Sequence, residues 1–160
     1  LPKKNKKAKP GYQHILKDKI PTITIKDRSV NIKILVGEVM GQSSLVNTYS
    51  PVSIFDTQFK EPDEISFSIP NEQIAMVYII EGKLKLQYTD IATKGHMVFY
   101  DQSSDILHLN SLSQYGSYLV LAGKPLNEPV ARYGPFITNT QNEIQQALLD
   151  YQSGKMGSLL

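Results

Sequence analysis

An all-β antiparallel architecture with one short C-terminal α-helix is the fold this sequence predicts, on three observations. Apolar and polar residues alternate with period two through a long series of short segments. Turn chemistry recurs between these segments about every eight to twelve residues, as at Glu61-Pro62-Asp63, Asp101-Gln102-Ser103-Ser104 and Gly123-Lys124-Pro125. Only near the end of the chain does the apolar period change to that of a helix. This rhythm predicts a sandwich or barrel rather than βαβ units.

Taken in order, residues 1–11 hold Lys3, Lys4, Lys6, Lys7 and Lys9, two prolines, one glycine and a single large apolar residue, Leu1. Such a segment buries too little apolar surface to offset its ordering entropy, so it reads as a basic linker or arm. Residues 12–160 read as one domain. Strands are expected at 22–26, Val30–Val36, Val52–Phe59, 65–69, 75–80, 83–88, 95–100, 106–109 and 117–122. Glu81-Gly82, between two alternating runs, has the chemistry of a type I′ hairpin turn. Thr140-Gln141-Asn142-Glu143 is a capping box, and Ile144, Ala147, Leu148 and Tyr151 follow at helical spacing. Gly154 stands where a left-handed cap belongs, giving a helix over about 141–153.

Composition excludes several classes. The 160 residues contain no cysteine, which removes disulfides, thiolate zinc sites and cysteine nucleophiles. The formal charge is +2, but setting the five lysines of the arm aside leaves twelve basic residues against fifteen acidic. The body is mildly acidic, and the basicity belongs to its first residues. The longest apolar run, 74–80, falls far short of the roughly twenty residues that cross a bilayer. Leu1-Pro2-Lys3-Lys4 has no apolar run after it and is no secretory signal. The chain opens without an initiator methionine, and it is expected to continue a longer protein.

Little chemistry stands out among the side chains. The three histidines, His14, His96 and His108, show neither H-x-H nor H-x-x-x-H spacing. His108 shares a strand face with Ile106 and Asn110, and its plain reading is a hydrogen-bonded strand histidine. No G-x-S-x-G elbow or phosphate-binding glycine loop is present. The acids at 61, 63 and 64 and at 101 and 105 flank turns and read as solvated loop residues rather than a general acid–base pair. The lysine arm would bind phosphate backbones in a salt-sensitive way. It lacks the interleaved aromatics of a single-strand surface, so nucleic acid is not the expected partner.

The C-terminal stretch carries the specific signal. Leu121-Ala122-Gly123-Lys124-Pro125-Leu126-Asn127-Glu128-Pro129-Val130, then Arg132-Tyr133-Gly134-Pro135-Phe136, Asn139-Thr140, Glu143-Ile144, Gln146-Ala147, Asp150-Tyr151 and Gly154-Lys155 resemble the tail of pirin-family proteins. Tyr12-Gln13, Ile20-Pro21 and Val36-Gly37-Glu38 resemble the start of the same family's second half. Pirins are bicupins, so the resemblance implies a C-terminal cupin domain: an antiparallel β-barrel of the double-stranded β-helix or jelly-roll type, of about eight to ten strands. It also implies an intracellular, cytoplasmic parent, or a nuclear one if eukaryotic. The family's iron site, three histidines and a glutamate, belongs to the N-terminal cupin, and its H-P-H and H-x-E motifs have no counterpart here.

Counting the cupin pattern back from Gly82 places the ligand glutamate at Ala75 and two histidines at Ile69 and Asn71 or at Ser68 and Pro70. From Gly95 the last histidine falls at Ile106 and an asparagine at Asn110, which matches. Ala75 and Ile106 are therefore read as vacated ligand positions, with Ile106 expected inside the barrel, where its burial would add roughly 1.5–3 kcal/mol. His108 and Asn110 remain candidate polar residues of a cavity. The resemblance implies no cofactor in this chain and iron in the parent's other domain. The expected role is a metal-free, non-catalytic scaffold for that N-terminal cupin, or a self-associating surface, with possible further protein partners. Pro129, Arg132, Tyr133, Pro135, Phe136, Ile144 and Leu148 are the candidate interdomain residues. The alternatives are a quercetin 2,3-dioxygenase-like metal enzyme, with the activity belonging to the whole bicupin, and a nucleic-acid- or transcription-factor-associated regulator acting through the lysines.

Overall fold

The computed structural model describes residues 1–25, 29–86, 90–100 and 105–156. The chain divides into two compact units, Gly11–Pro125 and a smaller one formed by Leu1–Pro10 with Leu126–Leu160.

The larger unit holds strands β1 (Thr22–Ile25), β2 (Val30–Val36), β3 (Glu38–Val39), β4 (Gln42–Ser43), β5 (Val52–Phe59), β6 (Asp63–Ser68), β7 (Ile74–Glu81), β8 (Lys83–Lys85), β9 (Ile91–Thr93), β10 (Met97–Tyr100), β11 (Ile106–Ser111) and β12 (Gly116–Gly123). They form a six-stranded sheet in the order β1-β2-β5-β12-β7-β10 and a four-stranded sheet in the order β6-β11-β8-β9, with β3 and β4 as a separate hairpin. Every pairing is antiparallel. The alternation seen in the sequence is the alternation of burial. Val30, Ile32 and Ile34 of β2, Ile65 and Phe67 of β6, Val77 and Ile79 of β7 and Leu107 and Leu109 of β11 are buried in one core. Phe55 and Phe67 stack in that core with centroids 5.8 Å apart. Phe59 meets Tyr118 edge-on at 5.6 Å. Tyr118 is fully buried, and its hydroxyl bonds the Ser111 hydroxyl at 2.8 Å and donates to the Lys83 carbonyl at 3.0 Å. One side chain of the six-stranded sheet is thereby tied to β8 and β11 of the other.

Glu81-Gly82 does not close a hairpin. β7 lies between β12 and β10, and β8 lies between β11 and β9, so each has both edges filled by strands from elsewhere in the chain. Gly82 is the corner where the chain leaves one sheet for the other, at φ +93°. A Cβ there would come within 2.8 Å of the Tyr115 carbonyl. A two-residue turn signal reports only the local backbone, and competition for strand edges decides the pairing. The expected strand 83–88 is described over Lys83–Lys85, and residues 87–89 lie outside the described residues, as does the expected turn 101–104.

In the smaller unit, β13 (Ala131–Tyr133) and β14 (Phe136–Thr138) form a hairpin against which α1 (Gln141–Gln152) packs. The capping box is complete. Thr140 Oγ1 accepts from the Glu143 amide at 3.3 Å, and Glu143 Oε2 accepts from the amides of Asn139 and Thr140 at 2.8 and 2.9 Å. These bonds, led by the one from Asn139, hold the Glu143 carboxyl below its usual range. At the other end the amides of Gly154 and Lys155 donate to the carbonyls of Tyr151 and Asp150, the double closure of a Schellman motif. Residues 1–10 differ from the expected free arm. They contain a single 3-10 turn, Lys3–Asn5, and belong to this unit, where the Lys3 amide donates to both oxygens of Glu128 at 3.0 and 2.8 Å.

Candidate functional site

The positions counted from the cupin pattern fall on opposite sides of the barrel wall. Ala75 is buried in the core, paired with Tyr100 of β10 on one side and Ala122 of β12 on the other. Ile106 is 46% exposed. It does not fill the interior, and the burial expected of it is not realised. On β11 the inward residues are Leu107, Leu109 and Ser111, so Ile106, His108 and Asn110 share the outer face of the four-stranded sheet. Counting through a turn assumes its length, and a difference of one residue moves every following side chain to the other face. His108 is accordingly exposed, and its Nδ1 lies 2.8 Å from the Ser66 hydroxyl across the β6–β11 pair. Of the other counted positions, Ile69 is buried, while Ser68, Pro70 and Asn71 are exposed.

The described interior is mostly apolar. Beside Ala75 it has methyl groups and the Tyr100 ring, whose buried hydroxyl has no partner among the described residues and whose pKa burial pushes up to about 12. The Thr57 hydroxyl is likewise buried without a partner. Among the described residues no three histidine, aspartate or glutamate side chains converge as a metal would require.

Two concave regions stand out among the described residues, one in each unit. In the larger unit a cavity of about 640 Å³ is lined by Gly37, Glu38, Val39 and Met40 near the β3–β4 hairpin and by Ser53, Ser66, Ser68 and Gln73. Met40 and Gly41 have φ of +50° and +75°, a type I′ turn with a methionine at its first position, an uncommon backbone for a side chain of that size. Gly37, at φ +87°, lets the chain pass where a Cβ would fall 2.7 Å from the Val52 carbonyl. The cupin count reaches this cavity at Ser68 and Pro70, and His108 reaches it through its bond to Ser66. Gln73 and Ser53 carry no spacing that would single them out.

In the smaller unit a groove of about 1000 Å³ is lined by Lys3, Lys4, Lys6 and Lys7 and floored by Phe136, Ile137, Ala147 and Met156. Its acids are already engaged: Glu128 by Lys3 and Asn139, Glu143 by the helix cap, Asp150 by Gln146. Among the described residues none of the four ammonium groups forms an ion pair. Of the candidate interface residues, Pro129, Arg132, Tyr133 and Pro135 are exposed and Leu148 is half-buried. Phe136 is half-buried and meets Tyr151 edge-on at 6.0 Å. Ile144 is 4% exposed, so it is a packing residue and not a contact surface. Val130, Ile137, Leu149 and Tyr151, none of them among those candidates, are exposed large apolar side chains of the same unit.

Antiparallel sheets of this order around one apolar core define a cupin. The chain belongs to the pirin family: the family model described as the pirin C-terminal cupin domain matches residues 54–157. It is 37% identical to a pirin-like protein of Solanum lycopersicum over 98% of this chain and 54% of that protein. It is 31% identical to pirin of Mus musculus over 98% of this chain and 54% of that protein. The solved structure of quercetin 2,3-dioxygenase from Acinetobacter baumannii superposes with a TM-score of 0.89 at 28% identity, covering 100% of this chain and 55% of that one. The chain thus spans about half the length of the relatives it matches. No described helix is long and apolar enough to cross a membrane.

Proposed function

We propose that this chain is the non-catalytic, metal-free cupin of a pirin-type bicupin, and that it serves as a scaffold docking onto an N-terminal cupin domain through its smaller unit. The observation that carries this reading is the exposure of Val130, Tyr133, Ile137, Leu149 and Tyr151 in a unit of only about forty-five residues. The half-length coverage of the relatives supplies a partner of the right kind, and the apolar residues packed in the core with Ala75 favour a packed rather than a catalytic barrel. Any dioxygenase activity, as in the name of the Acinetobacter protein, would then belong to the whole bicupin, with iron in the other domain. An intracellular setting accords with the lack of cysteine.

Sedimentation velocity of the chain alone and mixed with the separately produced N-terminal half of a pirin relative tests the docking. Concentration-dependent self-association, or capture of the other half, is expected. A strict monomer that ignores the other half overturns it. Elemental analysis tests the rest, because stoichiometric iron, nickel or manganese in the purified chain would defeat the metal-free reading. Nucleic-acid binding would appear as salt-sensitive retention that vanishes when residues 1–9 are removed.

A further inference from the structure

The cavity beside the β3–β4 hairpin has no role in the docking just described, and its lining is chemically specific. Gln73 is only 9% exposed, yet its side-chain oxygen is buried without a hydrogen-bond partner among the described residues. A buried amide oxygen left unpaired costs about 1–3 kcal/mol, and such a group in a native cavity calls for a partner. Ser53 and Ser68 also line the cavity and add hydroxyl groups to its wall. Glu38 accepts from the Ser43 hydroxyl at 2.7 Å through one carboxylate oxygen. Ser66 completes the polar set with its bond to His108.

Charge narrows the ligand. Among the described residues no lysine, arginine or histidine lines the cavity, and Glu38 is the one ionisable side chain of its lining. An anion would be desolvated beside a carboxylate with no compensating cation. An ammonium would satisfy Glu38 but can only donate, whereas serine hydroxyls and a primary amide need groups that both donate and accept. Hydroxyl groups do both. The apolar part of the wall, Val39, Met40, Val52 and Pro70, suits C–H surface.

We propose that this cavity binds a small, uncharged, hydroxyl-rich molecule of the size and class of a monosaccharide or cyclic polyol, with Gln73, Ser53 and Ser68 as its hydrogen-bonding residues. The volume of about 640 Å³ lies within the range of small-molecule sites. The hairpin turn at Met40 forms one side of the site, and Gly37 keeps the wall behind it thin.

The test is a titration of the ¹⁵N-labelled chain with glucose, galactose, xylose and myo-inositol, and with glucosamine and glucuronate as the cationic and anionic controls. At least one neutral compound should give saturable shifts confined to residues 37–40, 53, 66–68 and 73. Gln73→Leu, close in size but without the amide, should weaken that binding by about tenfold or more. Ser68→Ala, at an exposed strand position, should weaken it severalfold while leaving the rest of the spectrum in place, and it serves as the probe if Gln73→Leu perturbs the fold. Failure of all four neutral compounds to saturate, shifts centred elsewhere, binding of glucosamine or glucuronate as tight as that of the best neutral compound, or wild-type affinity in a folded Ser68→Ala would each overturn the proposal.

Discussion

The two units of this chain use apolar residues in opposite ways. In Gly11–Pro125 nearly every inward strand position is filled by a large side chain that loses its water, and Tyr118 enters the core with its hydroxyl bonded to Ser111 and Lys83. In Leu1–Pro10 with Leu126–Leu160, only Ala131 and Ile144 are fully buried apolar side chains among the described residues, besides Pro2. That unit is ordered by caps and turns: the capping box at Thr140, the Schellman closure at Gly154 and the β13–β14 hairpin. One region is therefore stabilised by burial and the other by satisfied backbone ends. The second arrangement leaves apolar surface over for another molecule.

The largest effect should come from emptying the barrel core. Phe67→Ala removes a stacked ring between the sheets and is expected to cost about 3–5 kcal/mol in urea denaturation, while hydrogen exchange of α1 changes no more than global unfolding requires. Tyr118→Phe keeps the packing but removes the hydroxyl that bonds Ser111 and shares the Lys83 carbonyl with the Leu112 amide, at a cost of about 1–3 kcal/mol. A loss no greater than that of an exposed tyrosine would mean that the tie between the sheets is weaker than its geometry.

Alkali sharpens the same contrast. Tyr100 titrates near 12 in the folded barrel and near 10 when unfolded, so its contribution to stability is complete below pH 10 and is lost as pH rises toward 12. Melting temperature should fall across that window, and Tyr100→Phe should reduce the slope.

Thr140→Ala should cost about 1 kcal/mol through loss of the cap. The loss should be read locally, as faster amide exchange in residues 141–145 with the barrel unaffected. A uniform loss through both units would erase the distinction drawn between them. Smallest of all, Tyr133→Ser should move stability by less than about 0.5 kcal/mol while reducing self-association or capture of the other cupin half. An unchanged sedimentation profile would remove Tyr133 from the docking surface.

Much of this was legible in the sequence where a local rule sufficed. Val30–Val36 and Val52–Phe59 alternate, and they are strands with those bounds. Thr140 and Glu143 have only one good geometry at a helix start, and they adopt it. What failed involved partners distant in sequence. Gly82 looked like a hairpin because nothing nearby shows that β7 already has β10 and β12 on its edges. Ile106 is an outward residue of β11, and a count through the cupin pattern carries no information on which strand face a position takes. Ile144 kept its helical stripe, but whether a stripe faces its own unit or a partner is a property of the packing. Gln73 was invisible for a simpler reason: an unpaired amide becomes conspicuous only when its surroundings are known.

The position of β12 has a consequence for biosynthesis. It is the last strand of the barrel in chain order, and it lies between β5 and β7, bonded to both along its length. A nascent chain emerging from the ribosome carries those two earlier strands with open edges until residue 123 has been made. The six-stranded sheet therefore cannot zip up progressively from its N-terminal side; it waits for its centre. Pairings that span some sixty residues favour slow folding and leave the unfinished strands open to other chains. This domain is therefore expected to lean on chaperones during translation more than its modest size suggests.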